Sequence, residues 1–131
     1  MALIFYLFVL NDRIGYKRMH EIILIDDFKK NYTGNDSMFR LFTKKEQQQF
    51  PAEKDSGSLA GRYIIKKLIF DYLKYKGSFL EIEIMNDEYG KPLLFLSEGI
   101  KELCRKSKIK TISCSISHSR KRVTGMIVIE Y

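Results

Sequence analysis

Cysteine is scarce in this chain of 131 residues, where Cys104 and Cys114 are the only two. Two cysteines cannot build a framework of disulfides, and they form no zinc-ligand cluster. Both lie in apolar patterns, which favours buried free thiols. Free thiols fit a reducing compartment, so we expect a cytoplasmic protein.

Long hydrophobic runs are also missing. The apolar stretch at residues 1–10 is short compared with the roughly 20 residues that span a membrane, so no membrane contact is expected. No Lys or Arg precedes this stretch and no small-residue cleavage site follows it, which argues against a signal peptide. A second methionine, Met19, precedes the first strand-like segment. Residues 1–18 are therefore interpreted as an extension outside the domain, with an ordinary first strand as the alternative.

Internal repeats, low-complexity tracts and linkers are absent from the sequence, so residues 19–131 are expected to form a single domain. Lys and Arg number 23 against 16 Asp and Glu, which gives a formal net charge of +7. A basic surface favours an acidic partner, such as nucleic acid, anionic lipid, a phosphorylated cofactor or an acidic protein. Composition alone does not choose among these partners.

The segment 59–76 has the strongest helical pattern. Ser58 can cap its start and Gly77 can end it. Its apolar side chains nearly encircle the axis, which is typical of a buried helix. Arg62 and Lys66 are four residues apart on this helix, where a buried charge requires a partner. Internal salt bridges and contacts with an anionic ligand are both open for this pair.

Shorter segments alternate with polar turns. Strands are predicted at 21–25, 80–85, 93–96, 111–117 and 123–129, and the spacing from Thr43 to Glu46 is that of a helix capping box. Segment 51–58 is expected to be a polar loop, and a short helix is expected around residues 100–104. This order of helices and hairpins predicts an α+β fold, with a small antiparallel sheet packed on the long buried helix.

Two polar positions are candidates for chemistry. His118 follows an apolar strand, and a strand end can hold a side chain at the edge of a cleft. Lys91 lies between Gly90 and Pro92, and the fixed backbone of proline would hold the ammonium in one direction, as a phosphate contact requires. A structural histidine and an ordinary turn are the alternatives.

Five segments, taken together and in order, resemble the sequence blocks of holo-acyl-carrier-protein synthases, which are 4′-phosphopantetheinyl transferases. Segment 40–46 is similar to Arg-Ile-Leu-Thr-x-x-Glu, and 59–67 is similar to Leu-Ala-Gly-Arg-Phe-Ala-Ala-Lys-Glu. Segment 81–92 resembles Asp-Ile-Glu-Ile followed by Asn-Asp-x-x-Gly-Lys-Pro. Segment 115–119 matches Ser-Ile-Ser-His-Ser, and 127–130 resembles Val-Val-Ile-Glu. The resemblance covers roughly residues 19–131.

The resemblance implies transfer of 4′-phosphopantetheine from coenzyme A to a serine of acyl carrier protein, a step that serves fatty acid biosynthesis. It implies that coenzyme A is bound by Arg62, Lys66, Lys91, Pro92, Ser117 and His118. His118 would lie near the 3′-phosphate or the reacting centre. It also implies an acidic carrier protein as partner, and a homotrimer with sites between subunits.

The resemblance also implies a Mg²⁺ site, and here the chain departs from the family. Glu21 stands where the family has a metal-binding Asp, and it is the predicted metal ligand. Lys67 stands where the family has a metal-binding Glu, so an ordinary two-carboxylate site cannot form. Glu21, Lys67 and His118 are the predicted catalytic residues, with Lys67 either contacting the pyrophosphate or pairing with Glu21 or Asp71.

Two other functions are weighed against transfer. Because Lys67 replaces a metal-binding Glu, one alternative is a relative that binds coenzyme A or a carrier protein without catalysis. Net charge motivates a nucleic-acid-binding module, but the basic residues at 105–110 form only a short stretch typical of a solvated surface. No stacking motif or recognition helix accompanies them, so nucleic acid is not an expected partner.

Overall fold

The structure, a computed structural model, describes residues 9–11 and 15–131. Its helices are α1 (Ile25–Tyr32), α2 (Ser37–Leu41), α3 (Lys44–Gln49), α4 (Ala52–Leu73) and α5 (Glu98–Lys106), with a 3₁₀ turn at Phe79–Glu81. Its strands are β1 (Val9–Asn11), β2 (Tyr16–Leu24), β3 (Ile82–Asn86), β4 (Pro92–Leu96), β5 (Thr111–His118) and β6 (Arg122–Glu130). The predicted α+β fold, with a small antiparallel sheet against a long buried helix, is confirmed.

The described strands form two antiparallel sheets. The larger has the order β1-β2-β6-β5, and the smaller is the β3–β4 hairpin. Strand β6 lies between β2 and β5, and Gly125 pairs with Glu21 on one side and with Ile116 on the other. Residues directly opposite each other on neighbouring strands lie on the same face, so these three positions share one face of the sheet. That face packs against α4.

Helix α4 is longer than its pattern predicts at one end and shorter at the other. It begins at Ala52, directly after Pro51, so the predicted polar loop at 51–58 is wrong. Asp55 has non-helical backbone angles (φ −142°, ψ 50°), and this kink divides the helix. At the other end Lys74 adopts a left-handed conformation (φ 53°) and stops the helix three residues before Gly77.

Close packing fixes the position of α4. A Cβ atom on Gly61 would lie 2.3 Å from the Ile116 side chain, so only glycine allows the helix this near to β5. On the other side, the Tyr63 ring lies 5.9 Å from that of Phe28 and 4.8 Å from that of Tyr32, measured between centroids. These aromatic contacts hold α1 against α4.

The first strands differ from expectation. Strand β2 begins at Tyr16 rather than at Glu21, and β1 pairs with it through Val9–Asn11. The described part of segment 1–18 thus includes β1 and the start of β2, while residues 1–8 and 12–14 lie outside the described residues. Whether segment 1–18 is an extension or an ordinary first strand stays a prediction. Leu80, the first residue of the strand predicted at 80–85, is in the 3₁₀ turn and is exposed.

Across the described ranges, none of the helices combines the length and the apolar character that crossing a bilayer requires.

Candidate functional site

One face of α4 crosses the larger sheet from β5 to β2. The contacts along it are Gly57 with His118, Gly61 with Ile116, Ile64 with Gly125, and Lys67 with Glu21. Because a helix rises about 1.5 Å per residue, the two ends of this row are about 15 Å apart. His118 and the Glu21–Lys67 pair thus lie on the same face of the sheet, at opposite ends of one helical stripe.

His118 is the last residue of β5 and is exposed. A Cβ atom on Gly57 would lie 3.2 Å from its Nδ1 atom, so the missing side chain lets the imidazole rest directly on α4. Ser117 points to the opposite face of the sheet, because side chains alternate along the strand. Contact of both side chains with one ligand stays a prediction.

Glu21 and Lys67 form an ion pair beneath the aromatic residues of α1. Lys67 Nζ donates a hydrogen bond to Glu21 Oε1 over 3.1 Å, so Lys67 has one of the two partners predicted for it. The Glu21 side chain is almost wholly buried, whereas a quarter of the Lys67 side chain is exposed. Both line a cavity of about 220 Å³, which is also lined by Asp27 and Tyr63.

These side chains do not fit the Mg²⁺ site that the family resemblance implies. Magnesium prefers oxygen ligands, and Lys67 brings an ammonium to the position where a second carboxylate was expected. Two unit charges of like sign repel by about 4 kcal/mol at about 4 Å in a partly buried protein site. Within residues 9–11 and 15–131, no group of three or more His, Cys, Asp or Glu side chains is placed to hold a metal ion.

Lys66 points away from the sheet into a fully buried ion pair. Its Nζ atom donates to Glu46 Oε1 over 2.6 Å and to the Leu41 carbonyl over 2.7 Å. Burial lowers the pKa of Lys66, although the Glu46 charge opposes this change. The sequence left open whether Lys66 forms an internal salt bridge or contacts an anionic ligand. In this structure it forms the internal salt bridge. Contact of Lys66 with coenzyme A stays a prediction, and it would require these bonds to be exchanged.

Arg62 is also buried and connects α4 to the β3–β4 hairpin. Its guanidinium donates to the Ile84 carbonyl over 2.9 Å, to the Ser58 carbonyl over 3.1 Å and to Asn86 Oδ1 over 2.7 Å. Its Cζ atom lies 3.7 Å from the centroid of the Phe50 ring. Burial lowers the pKa of Arg62 to about 10, so the group stays charged at neutral pH. Arg62 therefore holds β3 close to the hairpin turn, and its guanidinium already has three partners.

Lys91 lies in the turn of this hairpin and is exposed. Its backbone N–H donates to Asp87 Oδ1 over 2.8 Å, and its carbonyl accepts from the Asp87 N–H over 2.9 Å. Pro92 is the first residue of β4 and pairs with Asn86. The predicted rigid turn is thus present, and Arg62 anchors it through Asn86.

The sequence did not predict that Glu46 connects several elements of the fold. The capping box with Thr43 is confirmed, with both reciprocal bonds present. The same carboxylate also accepts from Lys66 and from the Ile84 N–H over 2.9 Å, so it joins α3, α4 and β3. A capping box signals only the local bond, so no pattern in the sequence pointed to the other two.

Comparison with known proteins finds relatives that all belong to one family. No protein-family model matches the chain. A holo-acyl-carrier-protein synthase of Clostridium novyi is 34% identical over 115 residues, covering 84% of this chain and 83% of the relative. Its counterpart in Fusobacterium nucleatum is 30% identical over 125 residues, covering 91% and 94%.

Solved structures agree. The holo-acyl-carrier-protein synthase of Helicobacter pylori, in complex with coenzyme A, superposes with a TM-score of 0.68 at 25% identity, covering 86% of this chain and 99% of that one. The Bacillus anthracis enzyme gives 0.67 at 26%, covering 89% and 96%. The fold is therefore that of a 4′-phosphopantetheinyl transferase-like domain. The chain belongs to the holo-acyl-carrier-protein synthase family, which confirms the resemblance read from its motifs.

Proposed function

We propose that this chain transfers 4′-phosphopantetheine from coenzyme A to a serine of an acyl carrier protein. The observation that carries the proposal is that nearly the whole chain is similar to holo-acyl-carrier-protein synthases. One of these synthases is in complex with coenzyme A. In the reaction the serine oxygen forms a bond to phosphorus and loses its proton. The pyrophosphate P–O bond breaks, and adenosine 3′,5′-bisphosphate leaves.

The exposed candidates are proposed to contact coenzyme A directly. His118 and Lys91 present an imidazole and an ammonium to solvent on rigid supports, as recognition of phosphate requires. Pro92 and Ser117 flank them and complete the proposed binding set. Positioning and electrostatic stabilisation supply most of the catalysis in phosphoryl transfer, so the supports matter as much as the contacts.

Arg62 and Lys66 are proposed to act mainly through the elements that they hold. Arg62 bonds to Asn86, which forms the last strand pair before the turn that carries Lys91. Lys66 joins α4 to Glu46. Both are therefore proposed first as positioning residues, and their direct contact with coenzyme A stays a prediction.

Glu21 is the residue that would hold Mg²⁺ if the metal bound here. The ammonium of Lys67 beside it makes a poor environment for a divalent cation. The proposed reaction therefore includes no step through a metal.

A homotrimer with sites between subunits is proposed for the assembled protein. Tyr89, Leu93 and Phe95 are exposed large apolar side chains on or beside the outer face of the β3–β4 hairpin. Exposed apolar clusters are typical of contact surfaces between proteins. Light scattering at micromolar concentration is expected to give three times the mass of one chain, and a monomer would contradict the proposed assembly.

The partner is proposed to be an acidic carrier protein in the cytoplasm. The formal net charge of +7 attracts such a protein and speeds its encounter with the chain. Encounter should slow as ionic strength rises, because salt screens charges at the surface.

Mass spectrometry of a purified apo-carrier protein tests the function. The carrier, coenzyme A and this chain are incubated, with several carriers and with or without Mg²⁺ or Mn²⁺. We expect a carrier heavier by one phosphopantetheine, and much slower formation of this product with His118→Ala. Lys101→Gln removes an exposed lysine of α5 and serves as the matched control. Binding of coenzyme A with no modified carrier under any condition would instead indicate a non-catalytic relative.

A further inference from the structure

The buried carboxylate of Glu21 depends on Lys67 for its countercharge. Glu21 lies on the face of β2 that packs against α4, with about 1% of its surface exposed. A carboxylate in such a place is strongly disfavoured unless a cation accompanies it. Lys67 Nζ meets this need at 3.1 Å from Oε1, while no described hydrogen-bond donor reaches Oε2.

Lys67 is also placed to meet a ligand. An ammonium has three N–H donors, and one of those of Lys67 bonds to Glu21. The side chain remains one-quarter exposed and lines the cavity of about 220 Å³. Among the described lining residues of this cavity, Lys67 is the only cation. A phosphate that enters this cavity would be neutralised by the positive charge of Lys67.

We infer that the Lys67 ammonium takes the place of a divalent cation at Glu21, so that this chain binds the pyrophosphate of coenzyme A without metal. The inference rests on the proposed function. A lysine is a compact point charge that donates hydrogen bonds to phosphate oxygens, so it replaces part of what a metal ion supplies. Asp27 lines the same cavity and adds a second carboxylate, which makes retained metal binding the physical alternative.

Metal binding without coenzyme A gives the first test. Wild type, Lys67→Glu and Lys67→Gln are titrated with Mn²⁺ by electron paramagnetic resonance, and their melting temperatures are measured with and without Mg²⁺. We expect no bound Mn²⁺ and no thermal shift for wild type. Lys67→Glu restores a carboxylate pair and should gain bound Mn²⁺, with a rise of about 3 °C in saturating Mg²⁺.

The variants keep this test decisive. In Lys67→Glu, repulsion between two adjacent carboxylates can unfold the protein. Lys67→Gln adds no second negative charge beside Glu21, so metal affinity can still be measured with this variant. Stoichiometric Mn²⁺ binding by wild type at the cavity, lost in Glu21→Gln, would overturn the inference.

Titration with coenzyme A gives the second test. Wild type is titrated calorimetrically in EDTA and in Mg²⁺, beside Lys67→Gln and the surface control Lys101→Gln. Wild-type affinity should agree within about twofold between the two media, and Lys67→Gln should bind about tenfold more weakly, since one charge-assisted contact is lost. Lys101→Gln should match wild type.

The outcomes separate the two proposals. Binding that requires Mg²⁺ would overturn the inference and leave the proposed function standing. Absence of binding in both media would overturn the proposed function and this inference with it.

Discussion

Lys66 Nζ lies 2.6 Å from Glu46 Oε1, and neither side chain has any exposed surface. This pair joins two helices, and the Ile84 N–H attaches β3 to the same carboxylate. Removal of one partner leaves a buried charge without compensation, which is far more costly than the pair itself is worth. The pair therefore makes its two residues mutually dependent.

Lys66→Met is expected to lower the free energy of unfolding by about 3–5 kcal/mol, because Glu46 is left buried and charged. Urea denaturation measures the change. The double variant Glu46→Gln with Lys66→Met should lose less than the sum of the two single variants. Lys101→Gln, at an exposed ion pair, should change stability by less than about 0.5 kcal/mol. A fall in coenzyme A affinity with unchanged stability would instead support direct contact of Lys66 with the ligand.

Arg62→Lys is expected to cost about 2–3 kcal/mol, because an ammonium cannot reproduce the three directed bonds of the guanidinium. Hydrogen exchange should also accelerate in the turn that carries Lys91, since Asn86 loses its anchor. Arg105→Lys is the matched control, because Arg105 pairs with Glu102 at the exposed surface of α5. Unchanged exchange in the turn would contradict the positioning role of Arg62.

Gly57→Ala is expected to displace the His118 imidazole, because the new Cβ atom would lie 3.2 Å from Nδ1. His118 is exposed and can shift, so stability should change by less than about 1 kcal/mol. The transfer rate should fall about tenfold, since misplaced reacting groups are costly. In a His118→Ala background, Gly57→Ala should have no further effect on the rate. Independent effects of the two changes would separate Gly57 from the function of His118.

Burial raises the pKa of the Cys114 thiol to about 11, from an ordinary value of 9.0. Between these values the unfolded chain releases the proton and the folded chain keeps it. Stability should therefore fall as pH rises from about 9 to about 11, by roughly 1–2 kcal/mol for this half-buried group. Comparison of Cys114→Ala with wild type in urea denaturation from pH 8 to pH 11 isolates this contribution. Parallel curves for the two proteins would contradict it.

Local patterns predicted most elements but not all of their bounds. The hairpin at 82–96 and the helix over 59–73 were predicted because alternation and helical periodicity are short-range properties. The start of α4 was missed, because segment 51–58 is polar and contains proline and glycine. Ser56 and Gly57 are buried there, and Gly57 packs against His118, which is distant in the sequence.

The candidate site shows the same division. Motifs selected the right family, and they marked Lys67 as the departure from it. They did not distinguish a cation that faces a ligand from one that faces the core. Arg62 and Lys66 have partners 20 or more positions away in the chain, on β3 and α3.

The sequence by itself determined the family, the α+β class and the lysine at position 67, because these depend on residue identity and local spacing. Only the tertiary structure decided that Lys66 pairs with Glu46, that Lys67 pairs with Glu21, and that Gly57 supports His118. The physical reason is that a buried charge takes whichever partner the packing of distant segments brings within hydrogen-bonding distance. The spacing of four residues places Arg62 and Lys66 on the same side of the helix, but it does not predict which residues of other segments contact them.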